Sequence, residues 1–171
     1  DGVLNVVFGG GRGSAGEFLV EMMDEGRLNK IAFTGSTAVG RQIGAIAGRN
    51  LIHPTLELGG KNPLVVMADA DLDNAVAGAL WAAFGTGGQR CTSAGNIILD
   101  APIYDEFKAR FLDAVRAVRI GDPLKHPDVL YGPFINERFF RTWLEHYAWG
   151  QDDGATLLHG AGHITPESRP E

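Results

Sequence analysis

The only cysteine of the chain, Cys91, lies in the glycine-rich stretch GGQRCTSAG (residues 87–95). A thiol becomes a nucleophile when nearby dipoles stabilise its thiolate and a substrate can approach the sulfur. A glycine-rich loop provides both, because its backbone N–H groups can face the sulfur and, later in a reaction, an oxyanion. Arg90 adds positive charge only if its side chain turns toward the sulfur. The alternative is a small core residue, since free cysteine is among the most buried residue types.

A second candidate group, Glu57, precedes Cys91 by 34 positions, within the stretch LELGGKNP (residues 56–63). The apolar residues around Glu57 predict a strand that is covered on both faces. A carboxylate in such a strand either pairs with a cation, such as Lys61, or is poised by its apolar surroundings as a general base. The residues taken singly leave both interpretations open.

Two glycine-rich turns are candidates for binding a dinucleotide. The first, GRGSAG (residues 11–16), matches G-x-G-x-x-G between a predicted strand and helix, but the next strand ends in AFTGS without the carboxylate that binds the ribose. An ordinary glycine-rich turn is the alternative for this stretch. The second, FTGST (residues 33–37), places hydroxyls and backbone N–H groups at the start of a predicted helix, which suits a pyrophosphate. Its alternative is a Ser or Thr helix cap.

Hydrophobic periodicity predicts the elements that must position these groups. Strands are predicted at residues 3–8, 30–34, 55–58, 63–67, 96–100 and 155–160, and helices at 16–26, 38–50, 69–84, 102–118 and 136–149. Strands that alternate with helices indicate a parallel sheet with crossover helices, which is an α/β fold. The glycine pair at 59–60 interrupts this pattern, and we place the domain boundary there.

Three of the predicted helices have an apolar face that should lie in the core. These faces comprise Phe18, Leu19, Met22 and Met23; Val39, Ile43 and Ile46 or Ala47; and Leu72, Val76, Leu80 and Phe84. On the last long helix, Trp143, Tyr147 and Trp149 form an aromatic stripe. We interpret this stripe as core rather than as a ligand-binding surface.

Composition excludes several classes of protein. The chain has 171 residues, of which 44% are hydrophobic and 21% charged, as in globular proteins. Its net charge of −6 and scattered basic residues argue against nucleic acid or an anionic membrane surface as a partner. One cysteine forms no internal disulfide, so we expect a reducing, cytoplasmic setting. No apolar run reaches the about 18 residues of a membrane span, and no signal peptide is recognisable.

The sequence also argues against a metal site. The five histidines show neither H-E-x-x-H nor a Cys/His ligand spacing. Asp69, Asp71 and Asp73 resemble the start of a calcium loop, but Asn74 and Leu80 stand where that loop needs glycine and glutamate. Capping of the following helix by Asp69 or Asp71 is the better interpretation.

In combination, LELGGKNP followed by GGQRCTSAG resembles the aldehyde dehydrogenase superfamily. KIAFTGSTAVGRQI is similar to the cofactor turn and helix of that family, and DADLDNAV, APIYDEF and IGDPL match its pattern in order. The resemblance covers residues 3–160, which is nearly the whole chain. Within the superfamily, GTGGQRCT and VLYGP lean toward the α-aminoadipic semialdehyde dehydrogenase-like branch.

The resemblance implies an aldehyde dehydrogenase-like fold, with half of a Rossmann-type parallel sheet followed by part of an α/β catalytic domain. Residues 1–58 correspond to the C-terminal half of the NAD(P)-binding domain and residues 59–171 to the N-terminal part of the catalytic domain. The implied reaction oxidises an aldehyde to a carboxylic acid. Cys91 forms a thiohemiacetal and then a thioester, its backbone N–H faces the oxyanion, and Glu57 activates the water that hydrolyses the thioester.

The resemblance further implies NAD or NADP as cofactor and a small aldehyde as substrate, with neither nucleic acid nor membrane as partner. The residues expected to bind the cofactor are Thr34, Gly35, Ser36, Val39, Leu58 and Gly59. A homodimer or homotetramer is expected for the parent protein. Its oxyanion asparagine and ribose-binding lysine would precede this chain and its ribose-binding glutamate would follow it, so we expect the isolated chain to be truncated at both ends and inactive.

Two other functions compete with this interpretation. An acylating or phosphorylating relative would use the same cysteine thioester and release it to coenzyme A or phosphate. A non-catalytic dinucleotide-binding module would keep the fold alone. Glu57 argues against the first, because those reactions need no hydrolytic base, and the pair of Glu57 and Cys91 argues against the second.

Overall fold

The computed structural model of the protein describes residues 2–9 and 13–160. The chain divides into two compact units, Asp1–Gly59 and Gly60–Glu171. The first unit contains helix α1 (Ala15–Asp24), strand β1 (Ala32–Gly35), helix α2 (Thr37–Arg49) and strand β2 (Thr55–Leu58). The second contains strand β3 (Asn62–Val66), helix α3 (Leu72–Phe84), strand β4 (Ala94–Leu99), and helices α4 (Tyr104–Arg116) and α5 (Glu137–Asp152). Short 3₁₀ turns occupy Gly85–Gly88 and Ala101–Ile103.

The first unit is a parallel β1–β2 pair with α2 as its crossover helix. Its core consists of Met23, Ile43 and Ala47, which are buried from α1 and α2 against the sheet. Gly40 permits a close approach of α2 to β2, because a Cβ at this position would lie 2.6 Å from the Leu58 Cδ2. The first unit therefore brings the start of α2 next to the end of β2.

The second unit repeats the arrangement with a parallel β3–β4 pair and α3 as the crossover. Its core consists of Val66, Val76, Ala79, Ile103 and Phe107. The α/β fold with parallel strand pairs that the periodicity predicts is thus confirmed in both units. A register shift interrupts the β3–β4 pairing at its beginning, as described below for the site.

The capping prediction at α3 is confirmed for one of its two candidates. Asp71 is the N-cap residue, and its carboxylate accepts a hydrogen bond of 3.1 Å from the backbone N–H of Asn74. Of the predicted α3 face, Val76 is buried and Leu72 packs against the same core. The helix ends at Phe84, and its C-cap residue, Gly85, begins the glycine-rich segment.

Two predicted strands are wrong. Residues 3–8 and 155–160 adopt no strand, and Val3 and Phe8 are 99% and 92% exposed. A strand is stable only when a neighbour pairs with its backbone. Among the described residues no strand pairs with either segment, so apolar composition alone does not produce one.

Three predicted apolar faces are also exposed in part. On α2, Val39 is 41% exposed, although Ile43 and Ala47 are buried. On α1, Met23 is buried, but Phe18 and Leu19 are 53% and 45% exposed. On α5, no residue is buried, and Trp143 and Trp149 are 37% and 56% exposed, which contradicts their interpretation as core. The α5 rings pack on one another instead, as Trp143 and Tyr147 do with centroids 5.8 Å apart.

No helix within the described part of the chain combines the length and the apolar character that crossing a membrane requires.

Candidate functional site

The carboxyl ends of β1 and β2 form one edge of the first unit. Their register pairs Thr34 with Glu57 and Gly35 with Leu58. Parallel strands end at the same side of a sheet, so residues of two separate motifs, FTGST and LELGG, become neighbours. Gly59 follows directly and is exposed. The first unit therefore brings together these predicted residues, whose assignment as a cofactor site remains a prediction.

The start of α2 fits both interpretations of the FTGST turn, as a helix cap and as a pyrophosphate site. Ser36 is the N-cap residue, and its hydroxyl accepts a hydrogen bond of 3.4 Å from the Val39 N–H. The backbone N–H groups of Thr37 and Ala38 have no partner among the described residues and belong to exposed positions. A capped helix start with open N–H groups fits a pyrophosphate, because the helix dipole is positive there.

Glu57 is exposed, which contradicts the prediction of a strand covered on both faces. Along β2 the side chains alternate, so that Leu56 and Leu58 are half-buried while Thr55 and Glu57 are exposed. The helices of the first unit cover one face of its two-stranded sheet, and Glu57 lies on the other. Its carboxylate forms no hydrogen bond or ion pair with the described residues of that unit. The apolar surroundings expected for a general base are therefore absent from this unit.

The segment before Cys91 changes direction through left-handed backbone. Thr86, Gly87 and Gly88 have φ angles of 58°, 64° and 68°. Glycine adopts this region without steric cost, whereas Thr86 is a strained exception. The Thr86 hydroxyl donates a 2.6 Å hydrogen bond to the Gly85 carbonyl. These residues lead the chain from the end of α3 into a tight turn.

Cys91 occupies the first corner of a β-turn that spans residues 90–93. The Ser93 N–H donates to the Arg90 carbonyl at 3.1 Å, and the Arg90 N–H donates to the Ser93 hydroxyl at 3.2 Å. The Cys91 side chain is exposed, which contradicts the alternative of a core thiol. Its backbone N–H has no partner among the described residues. An exposed sulfur next to an open N–H group is suited to nucleophilic attack and to stabilising an oxyanion.

Arg90 does not direct its charge to Cys91. Its guanidinium lies over the Trp81 ring, with Cζ 5.2 Å from the ring centroid, and Nη2 donates to the Trp81 carbonyl at 3.3 Å. An arginine that binds a carbonyl at the end of a helix stabilises that end. Arg90 therefore anchors one side of the turn to α3.

Asn62 contacts the same turn, and the sequence interpretation missed it. Its Nδ2 donates to the Cys91 carbonyl at 2.7 Å and to the Ser93 carbonyl at 3.0 Å. The stretch LELGGKNP drew attention to Glu57 and the glycines, and an asparagine at the start of a strand has no distinctive pattern. The only signal was that a polar residue begins an otherwise apolar strand.

Tyr131 is half-buried behind the glycine-rich segment. A Cβ placed on Gly87 would lie 3.6 Å from the Tyr131 Cδ2, and Ile120 and Tyr131 form an isolated parallel bridge. Burial raises the pKa of Tyr131.

In the described part of the chain, no three His, Cys, Asp or Glu side chains are grouped so as to hold a metal ion.

Comparison with known proteins gives a consistent result. The sequence model of the aldehyde dehydrogenase family matches residues 1–170. The chain is 39% identical over 164 residues to 3,6-anhydro-alpha-L-galactose dehydrogenase of Vibrio sp. (strain EJY3), covering 96% of this chain and 33% of that protein. It is 43% identical over 162 residues to human aldehyde dehydrogenase 1A1, covering 94% and 31%.

Solved structures agree with the sequences. The structure of 3,6-anhydro-L-galactose dehydrogenase in complex with NAP superposes with a TM-score of 0.84 at 36% identity, covering 91% of this chain and 32% of that one. The chain thus spans about a third of the length of the relatives it matches. The predicted aldehyde dehydrogenase-like fold is confirmed by these neighbours.

Proposed function

This chain belongs to the aldehyde dehydrogenase family, and from that premise we propose that its parent protein oxidises an aldehyde to a carboxylic acid with NAD(P)⁺. The family match from residue 1 to residue 170 is the observation that carries the proposal. The exposed Cys91 thiol, at the corner of a turn with an open backbone N–H, supports it from the structure.

In the proposed reaction, the Cys91 thiolate attacks the carbonyl carbon of the aldehyde. A C–S bond forms, the carbonyl electron pair moves to the oxygen, and the Cys91 N–H donates a hydrogen bond to that oxyanion. When the cofactor is bound, its nicotinamide supplies the acceptor for the hydride that leaves this carbon. The carbonyl then reforms, and the substrate remains attached to Cys91 as a thioester.

Glu57 is proposed to act in the second half of the reaction. Its carboxylate takes a proton from water, and the water oxygen attacks the thioester carbon. The C–S bond breaks, Cys91 leaves as the thiolate, and the carboxylic acid is released. The Glu57 carboxylate is exposed and has no ion pair in its own unit, so water can reach it.

The first unit is proposed to hold the cofactor, and the second to belong to the catalytic domain. The open N–H groups of Thr37 and Ala38 suit the pyrophosphate, and the exposed Val39 side chain suits the apolar face of the adenine. The proposed cofactor contacts are Thr34, Gly35, Ser36, Val39, Leu58 and Gly59. The domain limits of 1–58 and 59–171 stay predictions, as does the leaning toward the α-aminoadipic semialdehyde dehydrogenase-like branch.

The proposal includes a small aldehyde as substrate, a homodimer or homotetramer as the assembly, and a reducing, cytoplasmic setting. The single exposed cysteine supports the last point, because an exposed thiolate is readily oxidised outside such a compartment. Glu57 continues to favour hydrolysis over transfer to coenzyme A or phosphate. The exposed Cys91 favours catalysis over a purely dinucleotide-binding role.

The test uses the full-length protein, a panel of aldehydes and both cofactors, with NADH or NADPH formation measured by absorbance. Cys91→Ala should abolish turnover while cofactor binding persists, because the thiol makes the first covalent bond. Glu57→Gln should still reduce cofactor in a first-turnover burst but should lower steady-state turnover about 10²-fold or more, since only thioester hydrolysis needs the base.

Glu21→Gln is the matched control, because Glu21 is an exposed glutamate on α1. Its activity should equal that of the wild type. Aldehyde oxidation that survives in Cys91→Ala would overturn the proposal, and so would a wild-type protein that reduces neither cofactor with any aldehyde of the panel.

A further inference from the structure

The Cys91 turn depends on a side chain from outside it. Asn62 donates both protons of one amide nitrogen, to the Cys91 carbonyl at 2.7 Å and to the Ser93 carbonyl at 3.0 Å. The two acceptors belong to the Cys91–Thr92 and Ser93–Ala94 peptide units, so a single nitrogen fixes two peptide units of this segment. Only a side chain with two donors on one atom performs this task, and a carboxylate of the same shape has none.

The turn leaves backbone donors on its outer side. A trans peptide unit directs its C=O and N–H in opposite directions. The Arg90 carbonyl is occupied by the Ser93 N–H, and the Cys91 carbonyl is occupied by Asn62. The N–H groups of Cys91 and Thr92 therefore point away from these partners, and neither has an acceptor among the described residues of the second unit.

The β3–β4 register shift places Asn62 beside the turn. Asn62 pairs with Ala94 while Pro63 pairs with Asn96, so Gly95 is the extra residue of a bulge. A Cβ on Gly95 would lie 2.5 Å from the Lys61 Cδ and 3.2 Å from its Cα, so glycine permits this close approach without displacing Lys61. The strand pairing thus anchors Asn62 at a fixed distance from the turn that it holds.

From this geometry we propose that Asn62 is the positioning residue of the Cys91 nucleophile. By holding the Cys91 carbonyl, Asn62 keeps the Thr92 N–H turned outward. By holding the Ser93 carbonyl, it steadies the residue whose N–H binds the Arg90 carbonyl and so orients the Cys91 N–H. Both N–H groups are thereby kept as donors to the thiolate and to the oxyanion. The inference rests on the proposed function, in which Cys91 attacks the aldehyde. Arg90 anchors the opposite side of the turn to Trp81, but Asn62 alone among the described side chains holds the Cys91 carbonyl.

The test replaces Asn62 in the full-length protein by Asp, which keeps its shape and loses both donors. Repulsion between the carboxylate and the two carbonyls should turn the peptide units, and kcat should fall about tenfold to a hundredfold, as for a misplaced catalytic group. The rate of Cys91 alkylation by iodoacetamide should fall with kcat. The KM for NAD(P)⁺ should not change, because the residues proposed to bind the cofactor belong to the first unit.

Asn96→Asp is the matched control. Asn96 is an exposed asparagine on β4 whose side chain forms no hydrogen bond with the described residues of the second unit. The same change of charge at this position should leave both kcat and the alkylation rate at their wild-type values.

The outcomes separate this proposal from the proposed function. Alkylation of Cys91 requires no aldehyde, so it tests the positioning role even in a protein that oxidises none. Wild-type alkylation and kcat in Asn62→Asp would overturn the role of Asn62. Equal losses in Asn96→Asp, or losses that accompany a lower melting temperature and weaker cofactor binding, would also overturn it, because they would make Asn62 a residue of general stability.

Discussion

The two units are both parallel strand pairs with a crossover helix, yet they hold their candidate functional groups by different means. In the first unit the groups are backbone atoms at strand ends and at the start of α2, with Ser36 as the cap. In the second unit the side chains of Asn62 and Ser93 bind the backbone of the Cys91 turn, and the Arg90 side chain ties the turn to a carbonyl of α3. The comparison suggests that one unit presents regular structure to a ligand, whereas the other must hold an irregular turn in place.

The largest expected difference in stability between the units concerns two glycines, Gly95 and Gly40, at which another part of the chain approaches closely. Gly95→Ala should destabilise β3–β4 by about 1–3 kcal/mol, because the new Cβ would meet backbone as well as side-chain atoms of Lys61. Gly40→Ala should cost less than about 1 kcal/mol, because the Leu58 methyl groups can rotate away and alanine favours a helix. Hydrogen exchange of the amides in β4 and α2 measures both effects locally.

Gly44→Ala controls for helix propensity, since a Cβ at this position of α2 would lie at an ordinary 3.6 Å from the Leu56 Cδ1. It should slow exchange in α2. The first unit is expected to adapt its Gly40–Leu58 contact, whereas the second cannot easily adapt the bulge at Gly95. A larger loss of exchange protection in Gly40→Ala than in Gly95→Ala would contradict this contrast.

The next difference concerns the two serine caps of the first unit. Ser36 caps α2 and Ser14 caps α1, where its hydroxyl accepts from the Gly16 N–H at 3.3 Å. Each Ser→Ala change should cost about 1 kcal/mol of helix stability. Only Ser36→Ala should also weaken NAD(P)⁺ binding, because the start of α2 is the proposed pyrophosphate site. Isothermal titration of the full-length variants measures this affinity.

The same pair of variants decides between the two glycine-rich turns. Residues 11 and 12 of the first turn lie outside the described residues, and Ser14 belongs to its G-x-G-x-x-G pattern. Weaker cofactor binding in Ser14→Ala, with Ser36→Ala unchanged, would reverse the assignment and make the first turn the phosphate site.

Sequence periodicity was sufficient for the elements that contain their own signals. The predicted β2 and the crossover α2 match the structure to within a residue, and Ser36 and Asp71 cap their helices as helix-start patterns predict. Residues 3–8 have the composition of a strand but no described partner, and strand formation depends on that partner. Local composition therefore predicted the helices and the strands that have partners. It failed where the absence of a described partner strand prevents an apolar segment from forming a strand.

The candidate site divides in the same way. Cys91 and the Ser36 turn could be singled out from the sequence because glycines lie close to both. The role of Asn62 arises from the β3–β4 register, in which one extra residue at Gly95 brings Asn62 beside the turn. The apolar pattern of β3 does not encode that shift, because the extra residue lies on β4. The exposure of Glu57 was missed because the burial of a strand's second face depends on which other elements cover that face.

The smallest expected effect concerns Tyr131 in the second unit. Burial raises the pKa of Tyr131 above its usual 10.0, because the phenolate is poorly solvated there. Above about pH 10 the unfolded chain has released a proton that the folded chain keeps, so the free energy of unfolding falls as pH rises. Below that pH the contribution is fully present. Tyr131→Phe should remove this part of the alkaline loss, measured by urea unfolding between about pH 8 and pH 11.

Tyr104→Phe is the matched variant for Tyr131→Phe, because it removes the same hydroxyl from a ring that is 48% exposed at the start of α4. The comparison of units adds a second readout, since Tyr131 lies behind Gly87 and therefore close to the segment that precedes the Cys91 turn. Exchange protection should fall at high pH in β4 before it falls in α2. If β4 and α2 lost exchange protection at the same pH, the surroundings of Tyr131 would not respond to pH separately from the first unit. The Cys91 turn would then be no more sensitive to pH than the strand ends and helix start of the first unit.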